Sequence, residues 1–113
     1  MIADDNGAGV VGPAFDADGF GIRIGFGAQT DLSNTLEAFQ HALAVDADVI
    51  NNSWGFRQAY GDDNGLEFAG TDFYTIRDAM IDLVDSGRGG LGSNIVFSGG
   101  NDRAVGENTN YHN

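Results

Sequence analysis

Asp48-Val49-Ile50-Asn51-Asn52-Ser53-Trp54-Gly55 decides how the chain is read. It opens apolar, turns polar at its end and runs into a glycine. Such a run predicts a short strand that delivers polar groups to a loop. Asn94-Ile95-Val96-Phe97-Ser98-Gly99-Gly100-Asn101 follows the same plan, with a β-branched and aromatic core before a Gly-flanked polar exit. A helical pattern lies between them. The two strands are therefore expected to be parallel neighbours joined by a crossover.

Working outward, Leu32, Leu36, Phe39 and Leu43 recur at helical spacing and predict a helix from about Ser33 to Val45. Asp31, Ser33 and Asn34 are all N-cap candidates, and Glu37 three residues after Asn34 adds a capping-box signal. Gln40 and His41 fall toward solvent. Phe73, Ile76, Met80 and Leu83 repeat the spacing and predict a second helix from about Asp72 to Ser86. Thr71 or Asp72 is its N-cap candidate, and Gly87 its C′ candidate. Gly21-Ile22-Arg23-Ile24-Gly25-Phe26 alternates and reads as a first strand. Pro13 excludes a central strand nearby. The order is thus strand, helix, strand, helix, strand: an α/β chain with a parallel sheet. In such sheets function sits beyond the carboxyl ends of the strands. Here that means the exits after Asn52 and Phe97.

Composition removes several alternatives. The chain has 113 residues, 17 acidic and 5 basic side chains, and a net charge of −12. Five scattered cations cannot build the basic surface a nucleic-acid binder needs. Without Cys there is no disulfide framework and no Cys-based zinc site. No apolar run reaches the roughly 18–20 residues that span a bilayer, and Met1-Ile2-Ala3-Asp4-Asp5 shows no signal-peptide pattern. Hydrophobic content of 42% argues for a folded chain. The acidic excess has three readings: a solvated surface, oxygen-rich loops for Ca²⁺, or adaptation to salt.

Chemistry is best sought at the exits. Asn101 is either a turn or cap residue or a fixed side-chain donor aimed at developing negative charge. Ser53 lacks the G-x-S-x-G elbow of a nucleophile. His41 and His112 have no sequence-adjacent partner and read as ordinary polar histidines. No H-E-x-x-H, Walker A or dinucleotide glycine motif is present.

Several segments together, in order, resemble subtilisin-like serine peptidases. Asp48 to Gly55 is similar to their substrate-wall strand, and Asn94 to Asn101 to their oxyanion strand. Ala3-Asp4-Asp5-Asn6-Gly7-Ala8-Gly9-Val10-Val11-Gly12 resembles the loop after the catalytic-His helix. Ser53-Trp54-Gly55, Gly87-Arg88-Gly89-Gly90-Leu91-Gly92-Ser93 and Gly106-Glu107-Asn108-Thr109-Asn110-Tyr111 resemble the kexin/furin-like branch. The resemblance covers almost the whole chain. It implies a partial subtilisin-like fold, the β-α-β-α-β core of a three-layer domain.

The resemblance also implies roles. Asn101 matches the oxyanion-hole Asn. Ser53, Trp54 and Gly55 match the strand that pairs with an extended peptide or protein substrate. Ser98, Gly99 and Gly100 match the wall of the pocket for the residue before the scissile bond. Asn6 matches a Ca²⁺ ligand, helped by carbonyls near Asp4, Ala8 and Val10. Asp62 or Asp63, with Glu107, matches ligands of a second Ca²⁺. Bacterial members of the family are mostly exported, so a secreted or cell-envelope location is expected, with no nucleic-acid or membrane partner.

The chain also departs from that pattern. His112 stands where the kexin/furin branch has an Asp that helps select a basic residue, so paired-basic specificity is not implied. Thr109 replaces a Cys of the eukaryotic motifs, which fits a bacterial relative. Neither a His-Gly-Thr nor a Gly-Thr-Ser segment is present. Residues 1–113 are thus expected to be the central part of a peptidase domain, inactive alone for want of its Ser and His. The rival expectations are a non-enzymatic calcium-binding module and a flavodoxin-like domain without its phosphate loop.

Overall fold

The computed structural model describes residues 2–25, 32–54 and 72–99. They contain helix α1 (Leu32–Ala44), strand β1 (Val49–Asn52), helix α2 (Asp72–Gly90) and strand β2 (Asn94–Phe97). β1 and β2 pair in parallel, Val49 opposite Asn94 and Asn52 opposite Phe97. The chain is therefore α/β with a small parallel sheet, as its alternating pattern requires.

Gly21–Gly25 do not form the expected first strand. Residues 2–25 carry only bends and turns, and Phe26 lies outside the described residues. Alternation alone does not make a strand: it needs a neighbouring edge to pair with, and β1 and β2 form a two-stranded sheet.

The helices begin and end close to their expected limits. Asp31 and Thr71, which precede the first helical residues, lie outside the described residues. Ser33 and Asn34 fall inside the first turn of α1, so neither is its N-cap. The core joins Phe39 and Ala42 of α1 to Ile76, Ala79 and Leu83 of α2. Thr35, Phe39 and Ala42 are the buried residues of α1, while Leu32, Leu36 and Leu43 pack at its margin. The buried stripe is thus rotated from the one drawn through the leucines. Small residues sit at its centre because two helices approach closely only where side chains are short. Leu83 is fully enclosed (0% exposed), and truncating such a leucine to alanine removes about 2–5 kcal/mol. Gln40 and His41 face solvent as expected, and the His41 ring meets Phe20 edge-on at 5.6 Å.

α1 ends in a Schellman motif. Asp46 adopts φ 55°. Its N–H donates to Leu43 O, and Ala47 N–H donates to Ala42 O, each at 3.0 Å. Asp is one of the few side chains that tolerates this left-handed position.

α2 stops being regular after Ser86. Gly87 (φ −61°, ψ 162°), Arg88 (55°, 43°) and Gly89 (62°, 28°) are not helical. The expectation that Gly87 is the left-handed C′ residue is therefore corrected: that conformation belongs to Arg88 and Gly89. Gly87 is needed for space instead, because a Cβ there would fall on Ser93 Oγ. The loop folds back on the helix end, with Gly92 N–H donating to Gly87 O and Ser93 N–H to Leu83 O, both at 2.9 Å.

Candidate functional site at the strand exits

The parallel register brings the two polar exits side by side. Asn94 N–H donates to Asp48 O at 2.9 Å where the pair begins, and Ser98 N–H donates to Asn52 O at 3.0 Å where it ends. At and beyond that rung lie Ser53 and Trp54 after β1, and Ser98 and Gly99 after β2. These are the described members of the expected substrate-binding set. Gly55, Gly100, the oxyanion candidate Asn101, the acidic candidates Asp62, Asp63 and Glu107, and His112 lie outside the described residues.

Alternation along β1 separates two faces. Ile50 packs toward the helices, and Asn52 is buried beside it (6% exposed). Asn52 Nδ2 donates to Ile50 O at 3.4 Å and to Val96 O at 3.3 Å. This buried amide cross-links the strands where the sequence turns polar. Asn51 and Ser53 lie on the outer face. Asn51 Nδ2 donates to Ser53 Oγ at 2.9 Å. An amide cannot remove the hydroxyl proton, so this contact does not activate Ser53 as a nucleophile.

The exits are tied together beyond the ladder. Ser98 Oγ donates to Trp54 O at 3.2 Å, and the Trp54 ring meets Phe97 edge-on at 5.5 Å. Asn52 O and Trp54 O therefore both turn toward β2. In an extended chain the main-chain groups of the intervening Ser53 then face the opposite edge of β1. That edge is suited to adding an extended peptide as a further strand.

At the other end of the strands, Arg88 Nε donates to Asp48 Oδ1 at 2.6 Å and Arg88 Nη1 to Gly92 O at 3.3 Å. Gly89 N–H donates to Asp46 Oδ1 at 3.2 Å. Sequence reading missed this clamp, because nothing in the pattern links residues about forty positions apart. The Asn51–Ser53 contact was open to it, since alternate residues of a strand share a face.

Asn6 sits in its own N-terminal loop, where its Oδ1 accepts the Ala8 N–H at 3.1 Å. Gly7 (φ 76°) and Gly9 (φ 73°) curl that loop, and Gly12 N–H closes it onto Ala3 O at 2.9 Å. No group of three His, Cys, Asp or Glu gathers among the described residues, and none of their helices is long and apolar enough to cross a membrane.

The peptidase S8 model, described as the subtilase family, matches residues 1–113. The chain belongs to the subtilase family. It is also 32% identical over 102 residues to a dibasic-processing endoprotease of Yarrowia lipolytica (strain CLIB 122 / E 150). That match covers 89% of this chain and 10% of the relative, so the chain spans about a tenth of that relative's length. No solved structure matches it significantly.

Proposed function

We propose that the chain supplies the substrate-binding and oxyanion strands of a serine endopeptidase that cleaves extended peptides by Ser-His-Asp acyl transfer. One observation carries the reading: within a chain that matches the subtilase family throughout, Ser98 N–H to Asn52 O brings the two polar exits into register. Ser53, Trp54 and Gly55 pair with substrate. Ser98, Gly99 and Gly100 wall the pocket for the residue before the scissile bond, and the missing side chains leave it room. Asn101, two residues past Gly99, donates its amide to the oxyanion. The nucleophile and base come from outside these residues.

The finer assignments are part of the same proposal. The enzyme is of the kexin/furin-like branch and bacterial type, is secreted or held in the cell envelope, and does not select paired basic residues, given His112. Asn6 Oδ1 and the carbonyls near Asp4, Ala8 and Val10 contribute to a structural Ca²⁺ site. Asp62 or Asp63, with Glu107, contributes to a second. The first donor set fits Ca²⁺, since amide and main-chain oxygens are the hard ligands it takes.

The test uses the protein expressed with its flanking reading frame. It is expected to hydrolyse extended peptides and to lose activity to a serine-directed covalent inhibitor. Asn101→Ala should lower kcat about 10²–10³-fold. The 113-residue chain alone should show no inhibitor-sensitive turnover. An unchanged kcat in Asn101→Ala removes the oxyanion assignment, and inhibitor-sensitive turnover by the isolated chain removes the assignment of the nucleophile to other segments.

A further inference from the structure

We propose that the Ser98 hydroxyl is a positioning group for peptide binding, acting through the Trp54 carbonyl. The inference rests on the peptidase reading above and adds to it the contact that holds the substrate edge in place. The ladder between β1 and β2 ends at Asn52 and Phe97, and Ser98 N–H to Asn52 O is the rung just beyond. Ser98 is then the last side chain on this exit, because Gly99 and Gly100 follow. Past it, no side chain before Asn101 can anchor the oxyanion strand to its neighbour. Ser98 Oγ makes that anchor by donating to Trp54 O at 3.2 Å, across 44 positions of sequence.

The bond selects a direction for the backbone. With Trp54 O turned to β2, the Ser53 main chain is presented at the opposite edge of β1, which no described strand covers and where a peptide adds by backbone pairing. The Trp54 ring against Phe97 supports the same arrangement. Ring packing fixes where Trp54 sits, whereas the hydroxyl fixes which way its peptide group points. Without the hydroxyl, that peptide group loses one restraint on its direction, and binding an extended substrate must supply more of its ordering. A short substrate that ends at the residue before the scissile bond uses less of this edge.

The flank-containing protease is compared as wild type, Ser98→Ala and Ser98→Thr, with active sites counted by covalent titration. Each is assayed on an extended peptide and on a short ester with one residue before the scissile bond. Ser98→Ala is expected to raise KM for the extended peptide about fivefold relative to any rise for the ester, the worth of one net hydrogen bond, while kcat moves much less. Ser98→Thr, which keeps the hydroxyl, should recover most of the loss. Equal losses on both substrates, no loss on either, or a threonine no better than alanine would overturn the proposal. If the wild-type protein cleaves neither substrate, the peptidase reading falls and takes this inference with it. Wild-type cleavage with no length-dependent effect of Ser98→Ala overturns this inference alone.

Discussion

Arg88 Nε lies 2.6 Å from Asp48 Oδ1, joining the loop before β2 to the residue before β1. Asp48 O also accepts Asn94 N–H, the first cross-strand bond of the pair. One residue thus receives both the guanidinium and the opening rung, and the clamp and the register start together. Arg88 holds a left-handed conformation (φ 55°) to reach it.

That conformation sets two effects against each other. The Asp48 side chain is 77% exposed and that of Arg88 32%, so solvent screens the pair and its loss costs at most about 1 kcal/mol. A left-handed non-Gly residue itself costs about 1–2 kcal/mol. Arg88→Ala loses the pair and keeps the strain, whereas Arg88→Gly loses the pair and relieves the strain. Urea unfolding of the flank-containing protein should place Arg88→Gly about 1 kcal/mol above Arg88→Ala. Equal midpoints would show that the backbone strain is not present.

Ser93 and Gly87 form a second pair with a measurable coupling. Ser93 Oγ is buried and makes no hydrogen bond among the described residues, and a Cβ at Gly87 would collide with it. Ser93→Ala should be neutral or stabilise by about 1 kcal/mol, because a buried unpaired hydroxyl is removed. Gly87→Ala should destabilise by about 1–3 kcal/mol through overpacking, and by clearly less in the Ser93→Ala background. Additive effects in the double-mutant cycle would contradict the contact.

Among the described residues the sheet is covered on one face only. Val49 and Val96 lie 59% and 47% exposed on the other, and parallel sheets are ordinarily covered on both. The isolated chain is therefore expected to bind a hydrophobic dye and to melt with low cooperativity. A sharp, high-temperature transition by circular dichroism without dye binding would show that the chain is self-sufficient.

Calcium removal tests the Asn6 loop. Chelation should lower the Tm of the flank-containing protease, and Asn6→Ala should shrink that shift by removing one oxygen ligand. A shift of the same size in Asn6→Ala would place the ion elsewhere. The isolated chain should bind Ca²⁺ weakly by calorimetry.

Much of this was legible in the chain itself. Both helices could be read from their apolar period, because an amphipathic stripe is a local property. Both strands could be read because apolar runs ending in polar, Gly-rich exits are short and bounded. Gly21–Gly25 misled for the complementary reason: alternation reports a tendency, and pairing requires a neighbour. Gly87 misled because glycine serves two ends, a left-handed φ and an absent Cβ, and the sequence does not distinguish them.

By itself the sequence determined the α/β order, the helix limits, the lack of cysteine chemistry in these residues, and the family. All of these follow from local periodicity, composition and motif order. Only the tertiary structure decided which groups meet: Ser98 with Trp54, Arg88 with Asp48, and the buried Asn52 amide with Val96. Each of these contacts joins residues about forty positions apart. Their proximity is fixed by the parallel pairing of β1 with β2 and the packing of α1 on α2, which no local pattern encodes.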